Sequence, residues 1–230
     1  MNLLFKPAPP IVAPTAIGTG FPVRRIFCIG RNYEEHAKEM GMTADPEAPF
    51  FFTKWAETVV GDGATIAYPQ GTTNFHYEAE LVVAIGKGGR NIPRSAAIGH
   101  IWGYATGLDM TRRDLQTEAR GKGRPWDAGK NVEQSSPLGL IHPVETLGNA
   151  TSGAITLTVN GEIKQHGNLS ELITPVDQLI EFLSGLYELE PGDLIYTGTP
   201  AGVGPVLPGD VMVVTIDGLS SLTITVGQPA

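Results

Sequence analysis

The chain has 230 residues, 41% of them hydrophobic and 17% charged, which fits a globular protein with a sizeable core and excludes a disordered or fibrous one. The formal net charge of −8 argues against non-specific binding to nucleic acid or to an anionic membrane. The single cysteine, Cys28, excludes an intrachain disulfide and a cysteine-based zinc centre. The opening MNLLFKPAPPIVAP is too short and too proline-broken for a signal peptide, and no apolar run reaches membrane-spanning length, so a cytoplasmic address is expected.

In chain order, residues 1–22 read as a proline-rich arm and residues 23–230 as one domain. VRRIFCIG is a predicted strand. RNYEEHAKEMG follows as a short helix, with Asn32 as N-cap, Glu35 three residues on in a capping-box pattern, and Gly41 as terminator. The stretch from Met42 to Pro49 is polar and loop-like. FFFTKWAETVVGDG is apolar and then turn-rich, and leads to a strand over 77–86. A helix near PRSAAIGH, a strand over 102–108 and a second helix from about Thr111 come next. AITLTVNGEIKQHG is a hairpin turning at Asn160-Gly161. ITPVDQLIEFLSGL is an amphipathic helix, with Thr174 as cap and Pro175 in its first position. Two PGD turns and a hairpin through Asp217-Gly218 close the chain. With 29 glycines and 18 prolines marking turns, the pattern is that of a strand-rich α+β domain with a few short helices.

The chemistry-bearing residues begin with Glu78 and Glu80 in HYEAELVVAIG. Positions i and i+2 of a strand share a face about 6.5–7 Å apart. Carboxylates placed so close repel unless a cation lies between them. Asp109, at the end of the 102–108 strand, is a third carboxylate, and three together form an all-oxygen set of the kind Mg²⁺ or Mn²⁺ prefers. A solvated strand face paired with Lys or Arg reads the two glutamates as well, and Asp109 reads equally as a helix N-cap. Spacing alone does not choose. His36 and Glu39 fall three apart on one helix face, where a carboxylate orients an imidazole and raises its basicity, as a general base for water requires. A charged surface helix explains them too. Lys130, Arg113 and Gln116 are donors suited to a carboxylate or an enolate. TGTPAGVGPVLPG lacks a following helix and so is not a phosphate cradle, although its backbone N–H groups could line a site.

Six ordered blocks, CIGRNYEEHAKEMG, FFFTK, HYEAELVVAIGKGGRNI, GYATGLDMTRRDLQ, KGRPWDAGK and YTGTPAGVG, resemble the fumarylacetoacetate hydrolase family, and within it the acylpyruvate hydrolases, over residues 23–215. The resemblance implies a mixed β-sandwich roll, a homodimer, and Mg²⁺ or Mn²⁺ as cofactor. It further implies Glu78, Glu80 and Asp109 as metal ligands, and His36, Glu39 and Lys130 as the catalytic group. The helix bearing His36 would belong to a lid. Lys54, Arg113, Gln116 and Thr199 would contact substrate. Two departures stand out: Trp55 follows Lys54 where a proline is frequent, and Glu133 stands where an aspartate is usual.

The implied activity is hydrolysis of the carbon–carbon bond of a 2,4-diketo acid, fumarylpyruvate to fumarate and pyruvate in gentisate breakdown being the expected case. Metal and Lys130 would stabilise the departing pyruvate enolate. Decarboxylation of oxaloacetate or isomerisation of a diene-dioate on the same metal site is the alternative, and a non-catalytic metal-stabilised binding protein is a further one.

Overall fold

In the computed structural model, which describes residues 3–41 and 49–229, the longest apolar runs pair into one six-stranded sheet. Its strand order is His142–Pro143, Ile101–Leu108, Ala79–Ile85, Asp193–Tyr196, Arg25–Gly30, Phe50–Lys54. Every neighbouring pair is antiparallel except Asp193–Tyr196 with Arg25–Gly30. All seven residues of Ala79–Ile85 are buried, as a strand covered on both faces requires. Leu81, Val83, Ile85, Phe27 and Ile195 point into the larger core, and the alternate residues Val82, Ala84, Ile26, Cys28 and Tyr196 into a second cluster.

A five-stranded sheet covers the first face, in the order Glu162–Asn168, Ala154–Val159, Val211–Ile216, Leu222–Pro229, Thr65–Tyr68. The helix Val176–Leu186 joins that core through Leu179, Ile180 and Leu183. On the second face lies a hairpin of Val12–Pro14 and Gly20–Pro22, whose Ala13 and Phe21 pack with Ile26 and Cys28. This strand-rich α+β architecture of two packed sheets with few helices is the expected fold class. No helix among the described residues is long and apolar enough to cross a membrane.

Local expectations met their test element by element. Asn160 (φ +52) and Gly161 (φ +82) make the hairpin turn, both in the left-handed region such a two-residue loop needs. Gly41 (φ +67) ends the helix Glu34–Glu39. Asn32 is not its cap. Tyr33 holds that position without a side-chain bond, while the Asn32 amide reaches away to Thr174 and Thr197. Thr174 likewise yields the cap of Val176–Leu186 to Pro175, since its own backbone N–H and carbonyl are held by Asn32. The strand expected over 77–86 breaks at Glu78, between Phe75–Tyr77 and Ala79–Ile85. The helix expected near residue 94 is a 3₁₀ helix, Arg94–His100, and the one expected from Thr111 starts at Arg113. Residues 42–48 of the predicted loop and lid lie outside the described residues.

Candidate active site

The carboxylates gather where Ala79–Ile85 and Ile101–Leu108 part. Register pairs Glu80 with Gly107, and the Asp109 N–H bonds the Glu78 carbonyl at 2.9 Å, so pairing of distant strands brings Asp109 to the two glutamates. All three residues are buried, and one oxygen from each lies within 4.8 Å of the others. Gly107 leaves no room for a side chain there: a Cβ would stand 2.5 Å from Val82 and 2.8 Å from Tyr196.

Buried cations surround the set unevenly. Lys130 Nζ donates to Glu78 Oε2 at 2.6 Å and to Asp109 Oδ2 at 2.8 Å. Arg113 donates through Nη2 to Glu78 Oε1 and through Nη1 to Gln116 Oε1. Burial alone would raise the Glu78 carboxyl, but Lys130 and Arg113 outweigh it and hold it below the usual carboxylate range. Burial also opposes the Lys130 ammonium, yet Asp109 and Glu78 raise its pKa and keep it charged. Glu80 differs. It has no ion pair among the described residues, only the Gly198 N–H at 2.8 Å, and burial followed by the charges of Asp109 and Glu78 pushes its carboxyl well up. A buried carboxylate in that position is ionised at little cost only beside a further cation. The donor set, all oxygen and closely spaced, therefore fits Mg²⁺ or Mn²⁺.

His36 is buried on the helix Glu34–Glu39, and its Nδ1 lies 3.2 Å from Glu39 Oε2. The Gly202 N–H, from the glycine-rich loop, holds both Glu39 oxygens at 3.2 Å. Backbone N–H groups of that loop thus reach Glu80 at Gly198 and Glu39 at Gly202. One cavity is lined by His36, the three carboxylates, Lys130, Arg113, Gln116 and Thr199. Met40, Phe52 and Trp126 add apolar wall.

Lys54 sits elsewhere than expected. It does not line this cavity. Its fully buried ammonium donates to Asp109 Oδ1 (2.7 Å), the Ser135 carbonyl (2.6 Å) and the Met110 carbonyl (3.3 Å), which occupies all three of its donors. These contacts make Lys54 a brace behind Asp109. Neither departure from the family pattern enters the cavity. Trp55 is exposed and its backbone N–H donates to Asn131 Oδ1, while Glu133 lines a separate surface groove.

Sequence reasoning missed Gln165. A bulge between Leu157 and Thr158 turns it inward opposite Leu157, although its strand is otherwise largely exposed. Its amide accepts from Ala79 N and donates to Thr199 Oγ1 and the Pro200 carbonyl, tying the carboxylate strand to the loop. An Asn-Gly hairpin signals the turn, but nothing in it signals the bulge.

Comparison with known proteins agrees with this geometry. The family model "Fumarylacetoacetate (FAA) hydrolase C-terminal" matches residues 25–227. The chain is 50% identical over 190 residues to a fumarylpyruvate hydrolase of Ralstonia sp, covering 82% of this chain and 98% of that protein. A human mitochondrial oxaloacetate tautomerase is 40% identical over 206 residues, covering 90% and 93%. The crystal structure of fumarylpyruvate hydrolase from Pseudomonas aeruginosa, in complex with Mn²⁺ and pyruvate, superposes with a TM-score of 0.95 at 48% identity, over 99% of this chain and 100% of that one. The chain belongs to the fumarylacetoacetate hydrolase family.

Proposed function

We propose that the protein is a Mg²⁺- or Mn²⁺-dependent hydrolase that cleaves the carbon–carbon bond of an acylpyruvate, with fumarylpyruvate, split to fumarate and pyruvate, as its substrate. One observation carries this reading. A buried Glu78–Glu80–Asp109 set and His36, bonded to Glu39, face one cavity, so a site for a 2-oxo acid and a base for water stand side by side. Glu78, Glu80 and Asp109 would hold the ion. When bound, it supplies Lewis-acid charge for the carboxylate and 2-oxo oxygen of the substrate.

The chain's own residues do the rest. Glu39 orients His36 through Nδ1, which leaves Nε2 to take a proton from the water that attacks the acyl carbonyl. The bond to C3 breaks and pyruvate leaves as its enolate. Lys130, held charged by its neighbours, meets that developing charge, and protonation at C3 completes pyruvate. Arg113, Gln116 and Thr199 bind and orient the substrate from the cavity wall. The reading includes a cytoplasmic homodimer acting in aromatic catabolism; a size-exclusion mass near twice that of the chain would bear out the dimer.

The test is pyruvate release from fumarylpyruvate with Mn²⁺ or Mg²⁺, compared with maleylpyruvate, acetylpyruvate and oxaloacetate. Fumarylpyruvate should have the highest kcat/KM, and no pyruvate from any 2,4-diketo acid would refute the hydrolase. A second reading, oxaloacetate decarboxylation or tautomerisation on the same site, is favoured by the human relative named oxaloacetate tautomerase and the Dictyostelium discoideum relative named oxaloacetate decarboxylase, each 40% identical. It makes no use of a base for attacking water, which the His36–Glu39 pair provides.

A further inference from the structure

Arg31 has no place in the chemistry above, yet it lines the same cavity. It follows directly on the strand Arg25–Gly30 and adopts φ +63, a backbone region an arginine enters only under constraint. Asn32 supplies that constraint through its three bonds to Thr174 and Thr197. The guanidinium lies over the Phe50 ring, 5.3 Å from its centroid, and its buried Nε has no hydrogen-bond partner. Among the described residues Arg31 makes no ion pair, whereas Lys130 and Arg113 of the same cavity are both paired with buried carboxylates. Arg31 also lines an adjoining cavity, with Asn32, Phe50 and Thr174, that the three carboxylates do not reach. It therefore stands where the two cavities meet.

A guanidinium over an aromatic ring, with an unpartnered buried donor, at a cavity where Lys130 and Arg113 are already paired with carboxylates, is suited to receive an anion. We propose that Arg31 binds the distal carboxylate of the acyl group, so that the site selects 2,4-diketo acids ending in a carboxylate over those ending in a methyl group. The proposal rests on the acylpyruvate reading and names the part of the substrate that the metal-facing end does not bind. The apolar walls of Phe52 and Trp126 suit the carbon chain between the two charged ends.

The test is the ratio of kcat/KM for fumarylpyruvate to that for acetylpyruvate, measured with Mn²⁺ on wild type, Arg31→Asn and Arg31→Lys. Asparagine tolerates a positive φ and removes the guanidinium without new backbone strain. Lysine keeps the charge and loses the fork. Arg31→Asn should lower the ratio by roughly 10- to 100-fold, mainly through the KM for fumarylpyruvate, and Arg31→Lys should restore part of it. An unchanged ratio, or a parallel fall for both substrates, would overturn the proposal. Calorimetric titration with fumarate and with crotonate, its methyl-ended analogue, decides the point even if neither diketo acid is cleaved. Wild type should prefer fumarate and Arg31→Asn should lose that preference. Equal preference in both proteins would reject Arg31 as the anion site, whereas absence of pyruvate release alone would reject only the hydrolase.

Discussion

Within the carboxylate set, Glu80 is the residue with most at stake. Its neighbours neutralise Glu78 and Asp109, and among the described residues it keeps only the Gly198 N–H. Glu80→Gln keeps the shape and can still accept that bond. It should weaken Mn²⁺ binding at least about 10-fold, since even a change behind a ligand typically costs that much. Chelated protein should melt no lower than wild type, because a buried carboxyl whose ionised form its surroundings disfavour gives way to a neutral amide. Unchanged Mn²⁺ affinity by titration would show that Glu80 is not a ligand. His36 answers to a different readout. Loss of a positioned base costs on the order of 10²-fold or more, about 2.7 kcal/mol in barrier, so His36→Ala should depress acylpyruvate hydrolysis by that factor. Oxaloacetate decarboxylation should fall far less and Mn²⁺ affinity hardly at all, with Glu39→Gln following the same pattern more weakly. A parallel fall in both activities would assign His36 to binding instead of water activation.

Among the elements, the helix Glu34–Glu39 is too short and too charged to be stable alone. It is held by what flanks it. The Asn32 side chain ties its entrance to Thr174 and Thr197, and Arg120 Nη1 reaches the Met40 carbonyl at its exit. Asn32→Ala removes three buried bonds and leaves the Thr174 and Thr197 backbone groups unpaired. It should destabilise the protein by about 2–4 kcal/mol in urea unfolding and lower kcat as His36 loses its placement. A variant with wild-type urea midpoint would refute the tether. Gln165 joins Ala79 to Thr199 in the same manner, one amide serving two elements that the chain order keeps apart.

For the whole molecule, the site stands on the six-stranded sheet, so binding there couples to global unfolding. An ion that binds only the folded chain stabilises it by about 2.7 kcal/mol at a hundred times its Kd. For a domain of this size that is a rise in Tm of roughly 5–10 °C. Calorimetry with Mn²⁺ should show this rise, EDTA should reverse it, and Glu80→Gln should lack most of it. An identical Tm with Mn²⁺ and with EDTA would remove the metal from the account.

By itself the sequence determined what short-range geometry governs. Asn160-Gly161 dictates its turn because few other residue pairs enter the left-handed region at both positions. Three residues of helix put Glu39 beside His36. Tertiary structure alone decided the meetings of distant segments. Asp109 joins Glu78 because Ile101–Leu108 pairs in one register with Ala79–Ile85. Lys54 braces Asp109 instead of facing the cavity because the partners around its ammonium are already backbone carbonyls and a carboxylate. Asn32 reads locally as a cap, yet it bonds residues 142 and 165 positions away, and burial of those backbone groups made that the better use of its amide. Gln165 turns inward because a bulge at Leu157/Thr158 shifts the register that the Asn160-Gly161 turn sets, and no local pattern encodes that shift.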